Sequence, residues 1–214
     1  EIKIYASLTP AKAVGGDFYD FLIRDNRLYF CIGDVSGKGV PAALVMSMLS
    51  TQFRSLSSTE NTPGQIVSAI NASSEGRNDT MMFATLFVGI LDLSTGILSF
   101  CNAGHNAPVV IGNSPHFLKV EPNLPVGVES GWNYKGQHKH LSHGTTLLLY
   151  TDGLTEAENE GHDQFGEQRV LDVLAGNGID NPETTVKGLI DAVHHFVGKA
   201  EQSDDLTMLA IHYL

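Results

Sequence analysis

The chain has little cysteine, little tryptophan, few positive charges and no long apolar run. Two cysteines in 214 residues, Cys31 and Cys101, are too few for a disulfide-stapled secreted scaffold. Each lies inside a strand-like run. Both read as buried thiols of a reducing compartment, with a disulfide between neighbouring strands as the open alternative. Thirteen Lys and Arg stand against 24 Asp and Glu, a formal net charge of −11. That balance argues against nucleic acid or an anionic membrane surface as the main partner. No apolar stretch approaches the roughly 18 residues of a membrane span, and nothing resembles a secretory leader. A cytoplasmic location without membrane contact is the expectation. An apolar fraction of 42 % excludes a mostly disordered chain. The sequence opens on Glu1 rather than Met. A single domain, residues 1–214, cut from a longer protein with an upstream regulatory domain is expected.

Three missing motifs narrow the chemistry. Gly33 and Gly37 enclose three residues and Gly39 follows Lys38; a Walker A loop needs four residues between Gly and Gly-Lys, followed by Ser or Thr. Ser36 lies in no Gly-x-Ser-x-Gly elbow, so it is not a hydrolase nucleophile of that kind. No cysteine accompanies His138, His140 and His143, which read as a solvated strand and loop rather than a zinc site. His194-His195 points two ways around a helix. The sequons at Asn71 and Asn78 lack a secretory context and read as chance.

Apolar periodicity supplies the elements. Ile2 to Leu8 reads as a strand. Asp17 to Ile23 and Leu28 to Ile32 read as a hairpin around Arg24-Asp25-Asn26. A glycine-rich turn, Gly33 to Gly39, precedes a helix from Val40 to Leu56, with Pro41 in its first turn. Leu44, Met48, Leu49, Phe53 and Leu56 are expected on one face of that helix. Thr62-Pro63 opens a second helix to about Ala72, and Ser73 to Thr80 is loop-like. Phe83 to Leu93 with Ile97 to Cys101, and Pro108 to Ile111 with Phe117 to Val120, read as hairpins. Trp132 to Leu141 alternates in part, and Thr145 to Thr151 is a strand. Phe165 to Leu174 and Thr184 to Val197 are helical, and Leu206 to Tyr213 closes the chain as a strand. This order is not the regular alternation of a doubly wound parallel sheet. It fits packed antiparallel sheets flanked by helices, an α+β class.

Acidic motifs stand at the ends of these strands, far apart in the chain: Gly15-Gly16-Asp17, Gly33-Asp34-Val35-Ser36-Gly37, Thr151-Asp152-Gly153 and Asp204-Asp205. Carboxylates without a Cys and His cluster suit hard divalent cations such as Mg²⁺ or Mn²⁺. Gathered from four places, they point to metal-assisted hydrolysis of a phosphate ester. Each also has an ordinary reading: Asp17 and Asp152 as plain turn residues, Asp34 as an N-cap-like residue, Asp204-Asp205 as a solvated loop. Extended geometry sets Asp17 and Asp20 on opposite sheet faces, so Asp17 is the ligand candidate. The Val35 carbonyl is a further oxygen donor. Two adjacent acids repel, so an ordered Asp204-Asp205 favours a cation nearby. His105, in Ala103-Gly104-His105-Asn106, can contact phosphate, act as an acid or orient a loop. Only Lys12 and Lys38 stand near the motifs as candidates to hold phosphate.

Taken together, Val14 to Asp20, Ile32 to Gly39 with Ala42-Ala43, Met82 to Leu86, Asn102 to Asn106, Leu124 to Val128, Leu149 to Gly153 with Glu156-Ala157, Phe165-Gly166-Glu167 and Asp204 to Thr207 resemble the RsbU/SpoIIE-type serine phosphatases, a bacterial branch of the metal-dependent PPM phosphatases. The motifs run in the family's order over nearly the whole chain. Val126 stands where Leu is expected, and Asn71 to Arg77 follows the pattern loosely.

The resemblance implies a four-layer α-β-β-α sandwich, two antiparallel sheets with helices outside, and two Mn²⁺ or Mg²⁺ ions. It implies that Asp34 serves both ions, that Asp152 and Asp204 complete one site, and that Asp17 and the Val35 carbonyl serve the other. Asp204 rather than Asp205 aligns with the family's ligand. The implied activity is hydrolysis of phosphoserine or phosphothreonine on a partner protein, typically a phosphorylated STAS-type anti-sigma factor antagonist in bacterial partner switching. The helix from Pro41 to Leu56, directly after Asp34, is implied as a switch. A non-catalytic phosphatase-like binding module and a hydrolase of small phosphates are the competing readings.

Overall fold

The computed structural model describes residues 2–59, 62–74, 82–176 and 181–214. In chain order the elements begin β1 (Ile2–Thr9), β2 (Phe18–Arg24), β3 (Arg27–Val35), α1 (Val40–Leu56) and α2 (Pro63–Ser73). Next come β4 (Ala84–Asp92), β5 (Ile97–Ala103), β6 (Val109–Ile111), β7 (His116–Phe117), β8 (Gln137–His140) and β9 (Thr145–Tyr150). The last are α3 (Gly166–Gly176), α4 (Pro182–Val197) and β10 (Leu206–Tyr213). The class is α+β: two antiparallel five-stranded sheets with helices.

The chain forms two compact units. One comprises Val14–His105 and Lys119–Leu141. Its sheet has the order β2-β3-β4-β5-β8. The β2–β3 hairpin turns through Asp25 and Asn26, both with positive φ, as a two-residue turn matched to strand twist requires. Side chains alternate along β3, and Tyr29, Cys31 and Val35 join Val88, Cys101, Leu49, Phe53 and Ile66 in a core beneath α1 and α2. Thr62 caps α2 by accepting the Gln65 N–H.

Two expectations change here. β3 runs past Gly33 to Val35, because β4 continues the ladder with Gly33 opposite Leu86, Asp34 opposite Thr85 and Val35 opposite Ala84. Asp34 is therefore held within a strand rather than opening a turn. On α1 the buried positions are Ala42, Leu49 and Phe53, and Leu44 is 67 % exposed. The expected face was drawn too far round the helix.

The other unit comprises Glu1–Ala13, Asn106–Leu118 and Ser142–Leu214. Its sheet has the order β1-β10-β9-β6-β7, and α4 packs on β1 and β10. Leu148, Tyr150, Met208 and Ala210 meet Val170, Val186, Leu189 and Val193 in its core. β10 is buried along its whole length, so its side chains are covered on both faces of the strand.

Cys31 and Cys101 are both buried and free. Each lies opposite Val88, from either side of β4. Two strand spacings, about 9.5 Å, exceed the reach of a disulfide. Of the sequons, Asn71 is a buried residue of α2 bonded to the Glu129 carbonyl and the Gly127 N–H; Asn78 lies outside the described residues. His138 and His140 are exposed on β8, with His138 bonded to Ser99, and His143 stacks on Tyr213. Among the described residues no helix is long and apolar enough to cross a membrane.

Candidate metal centre

Each unit carries one pair of acidic positions, and in each a glycine clamps the pair. In the β2–β3 unit the ladder reaches Phe18 opposite Gly33, which leaves Asp17 and Asp34 next in register. Asp17 is 4 % exposed and Asp34 half-buried. A Cβ on Gly16 would lie 2.7 Å from the Val35 carbonyl oxygen. Only glycine lets the Asp17 segment approach the Asp34-Val35 segment this closely. The Ser36 turn beyond is tied back by its N–H to the Phe83 carbonyl at 2.8 Å, while Phe83 N–H donates to Ser36 Oγ at 2.9 Å.

The β9–β10 unit repeats the device. Thr151 N–H donates to the Thr207 carbonyl at 3.0 Å, and Thr207 N–H donates to Thr151 Oγ1 at 3.2 Å. Asp152 follows directly. Its carbonyl accepts the Glu156 N–H at 2.8 Å, closing a tight turn. A Cβ on Gly153 would stand 1.9 Å from the Asp205 carbonyl oxygen, so the Asp152 turn lies flush against the Asp204-Asp205 turn. Asp205 is 7 % exposed and accepts the Ala11 N–H at 2.8 Å. Asp204 is half-buried and accepts the Asp205 N–H.

These residues fit a hard divalent cation. The donors are carboxylates and one carbonyl, the thiol nearest in sequence, Cys31, is turned into the core beneath the helices, and the backbone beneath the donors is fixed by contacts that a single methyl group would break. Among the described residues there is no group of three or more His, Cys, Asp or Glu able to hold a metal. Each unit thus brings a pair of acidic positions rather than a full ligand shell.

The other sequence candidates have settings of their own. His105 is buried, with Nδ1 2.8 Å from Thr85 Oγ1 and its backbone bonded to Asn102. Lys12 and Lys38 are exposed. Sequence reading missed the pairing of Asp20, 8 % exposed, with Arg54 of α1. Period-two alternation does place Asp20 on the helix side, but nothing in the sequence names its partner. The described arginines are committed elsewhere: Arg24 to Asp25 and Tyr29, Arg27 to Asp92, Arg54 to Asp20, and Arg169 to the Gln164 and Phe165 carbonyls.

Comparison with known proteins agrees with this architecture. The family profile "Stage II sporulation protein E (SpoIIE)" matches residues 24–214. Phosphoserine phosphatase RsbU of Bacillus subtilis is 32 % identical over 161 residues, covering 74 % of this chain and 48 % of that protein. The chain spans less than half the length of the curated relatives it matches. Among solved structures, the RsbU and RsbW domains of Rv1364c from Mycobacterium tuberculosis superpose with a TM-score of 0.80 at 28 % identity, over 99 % of this chain and 59 % of that one. The SiaA-PP2C domain of Pseudomonas aeruginosa gives 0.88 at 21 % identity, over 99 % and 86 % of the two chains. The chain belongs to the SpoIIE family of PP2C-type (PPM) phosphatase domains.

Proposed function

We propose that this domain is a metal-dependent protein phosphatase that hydrolyses phosphoserine or phosphothreonine on a partner protein. The observation that carries the proposal is the repeated device: in each unit a glycine with no room for a Cβ presses one acid-bearing turn onto another. By the resemblance, Asp17, Asp34, the Val35 carbonyl, Asp152 and Asp204 would hold the metal, two Mn²⁺ or Mg²⁺ ions, with Asp34 serving both. When bound, such ions supply an acidified water and offset charge on the phosphoryl oxygens. The protein's own part is to hold its carboxylates ionised, aimed and immobile. No nucleophilic side chain is required of it, and Ser36, half-buried, spends its hydroxyl on the Phe83 N–H.

The substrate we assign is a phosphorylated STAS-type anti-sigma factor antagonist. The likeness to RsbU, a phosphoserine phosphatase, and to a chain that joins RsbU and RsbW domains supports this choice. The test compares phosphate release from a serine-phosphorylated STAS protein and from nucleotides or sugar phosphates, each with Mn²⁺ and with chelator. Release from the phosphoprotein that stops with chelator is expected. Faster release from the small phosphates would replace this reading with a small-molecule hydrolase.

A further inference from the structure

Thr85 stands directly across the β3–β4 ladder from Asp34. Residues opposite one another in an antiparallel pair share a sheet face, with Cβ atoms about 4.5–5.5 Å apart. The Thr85 hydroxyl is in turn 2.8 Å from His105 Nδ1. His105 is 6 % exposed, and its backbone is pinned on both sides. Asn102 Oδ1 accepts its N–H at 2.7 Å, and Asn102 Nδ2 donates to its carbonyl at 2.8 Å. Before it, Gly104 has φ 71°, and a Cβ there would meet Pro125 Cγ at 2.8 Å. Two of the sequence motifs, Asn102 to Asn106 and Leu124 to Val128, thus lock together behind one imidazole. The metal reading alone gives this histidine no task.

We propose that His105 is a positioning residue that acts through the Thr85 hydroxyl to fix the Asp34 side chain for its cation. The inference rests on the reading of Asp34 as a ligand. One proton is shared between Nδ1 and Oγ1; whichever atom supplies it, the hydroxyl is held in one rotamer beside Asp34. Groups that orient a ligating carboxylate from behind sharpen its geometry and raise metal affinity. A histidine that merely stiffens the 102–106 turn would leave that affinity alone.

Calorimetric titration of Mn²⁺ into the full chain, without substrate, separates these cases. Thr85→Val keeps the shape and removes the hydroxyl; Thr85→Ser returns it. The Kd for Mn²⁺ should rise about ten- to hundredfold in Thr85→Val and in His105→Gln, and return in Thr85→Ser. The double variant should be no weaker than Thr85→Val alone, because His105 acts through that hydroxyl. If His105→Gln does not fold, the two Thr85 variants decide alone. An unchanged Kd in folded Thr85→Val, no recovery in Thr85→Ser, or additive losses in the double variant would overturn the inference. Absence of Mn²⁺ binding by the unaltered chain would instead overturn the reading of Asp34 as a ligand, and this inference with it.

Discussion

Asp204 and Asp205 are adjacent and chemically identical, yet the fold gives them different work. Asp205 is buried and spends an oxygen on the Ala11 N–H; Asp204 is more open, on the same turn. Asp205→Ala should therefore cost stability, about 1–2 kcal/mol for a stranded donor, read as a lower urea midpoint. Asp204→Asn should leave that midpoint nearly in place and weaken Mn²⁺ binding. A reversal of the two effects would exchange their roles. The thiols give a pH prediction. Burial pushes Cys101 up to about 12 from an ordinary 9.0, and burial followed by the Asp20 carboxylate pushes Cys31 well up too. The folded state then holds protons that the unfolded chain releases above pH 9, so stability is fully present below 9 and falls as pH rises toward 12. Cys101→Ala should flatten that fall in urea unfolding measured across this range. An equally steep fall in the variant would contradict the assignment.

Strand ends and the turns beyond them do the positioning. Gly153→Ala drives a methyl group into the Asp205 carbonyl. The turn must open, costing about 1–3 kcal/mol and moving Asp152, so both the melting temperature and Mn²⁺ affinity should drop. A variant with unchanged Mn²⁺ affinity would show that the close approach does not matter for the site. Helix α1 is anchored differently. Its Arg54 neutralises Asp20, a buried carboxylate on β2. Arg54 itself is 61 % exposed, so Arg54→Ala should cost about 1–3 kcal/mol, between a surface pair and a buried one. Asp20→Asn should recover part of that loss in the double variant; a strictly additive double variant would deny the coupling. Much of this scale was legible in sequence. Pro41 and Pro63 marked helix starts, and apolar runs gave β10 and the β4–β5 hairpin. The extension of β3 through Asp34 was not legible, because its cause is pairing with β4 some 50 residues on. Leu44 misled because its apolarity suggests burial, whereas the helix axis is set by Ala42, Leu49 and Phe53 against the sheet. The acids could be listed from sequence, but the clamps could not. Gly16 against Val35 and Gly153 against Asp205 are contacts between segments, which no local pattern encodes.

Over the whole molecule, the net charge of −11 leaves the folded chain rich in repelling carboxylates. Cations bound by the acidic pairs would relieve part of this, and a ligand bound only by the native state adds its linkage energy. At free Mn²⁺ about 100 times Kd, each site should add about 2.7 kcal/mol to unfolding. Thermal unfolding should thus shift upward with Mn²⁺ and back with chelator; an unmoved midpoint would mean that no native site is filled. The central claim is a metal-dependent hydrolysis that needs these acids. Asp152 tests it most directly, as the acid whose turn the Gly153 contact holds in place. The decisive measurement is phosphate release from a serine-phosphorylated STAS protein by the unaltered chain and by Asp152→Asn, with Mn²⁺ and with chelator. Mn²⁺-dependent release that drops to the chelator baseline in folded Asp152→Asn is the predicted result. Release that survives chelation, or proceeds equally fast in Asp152→Asn, would contradict it.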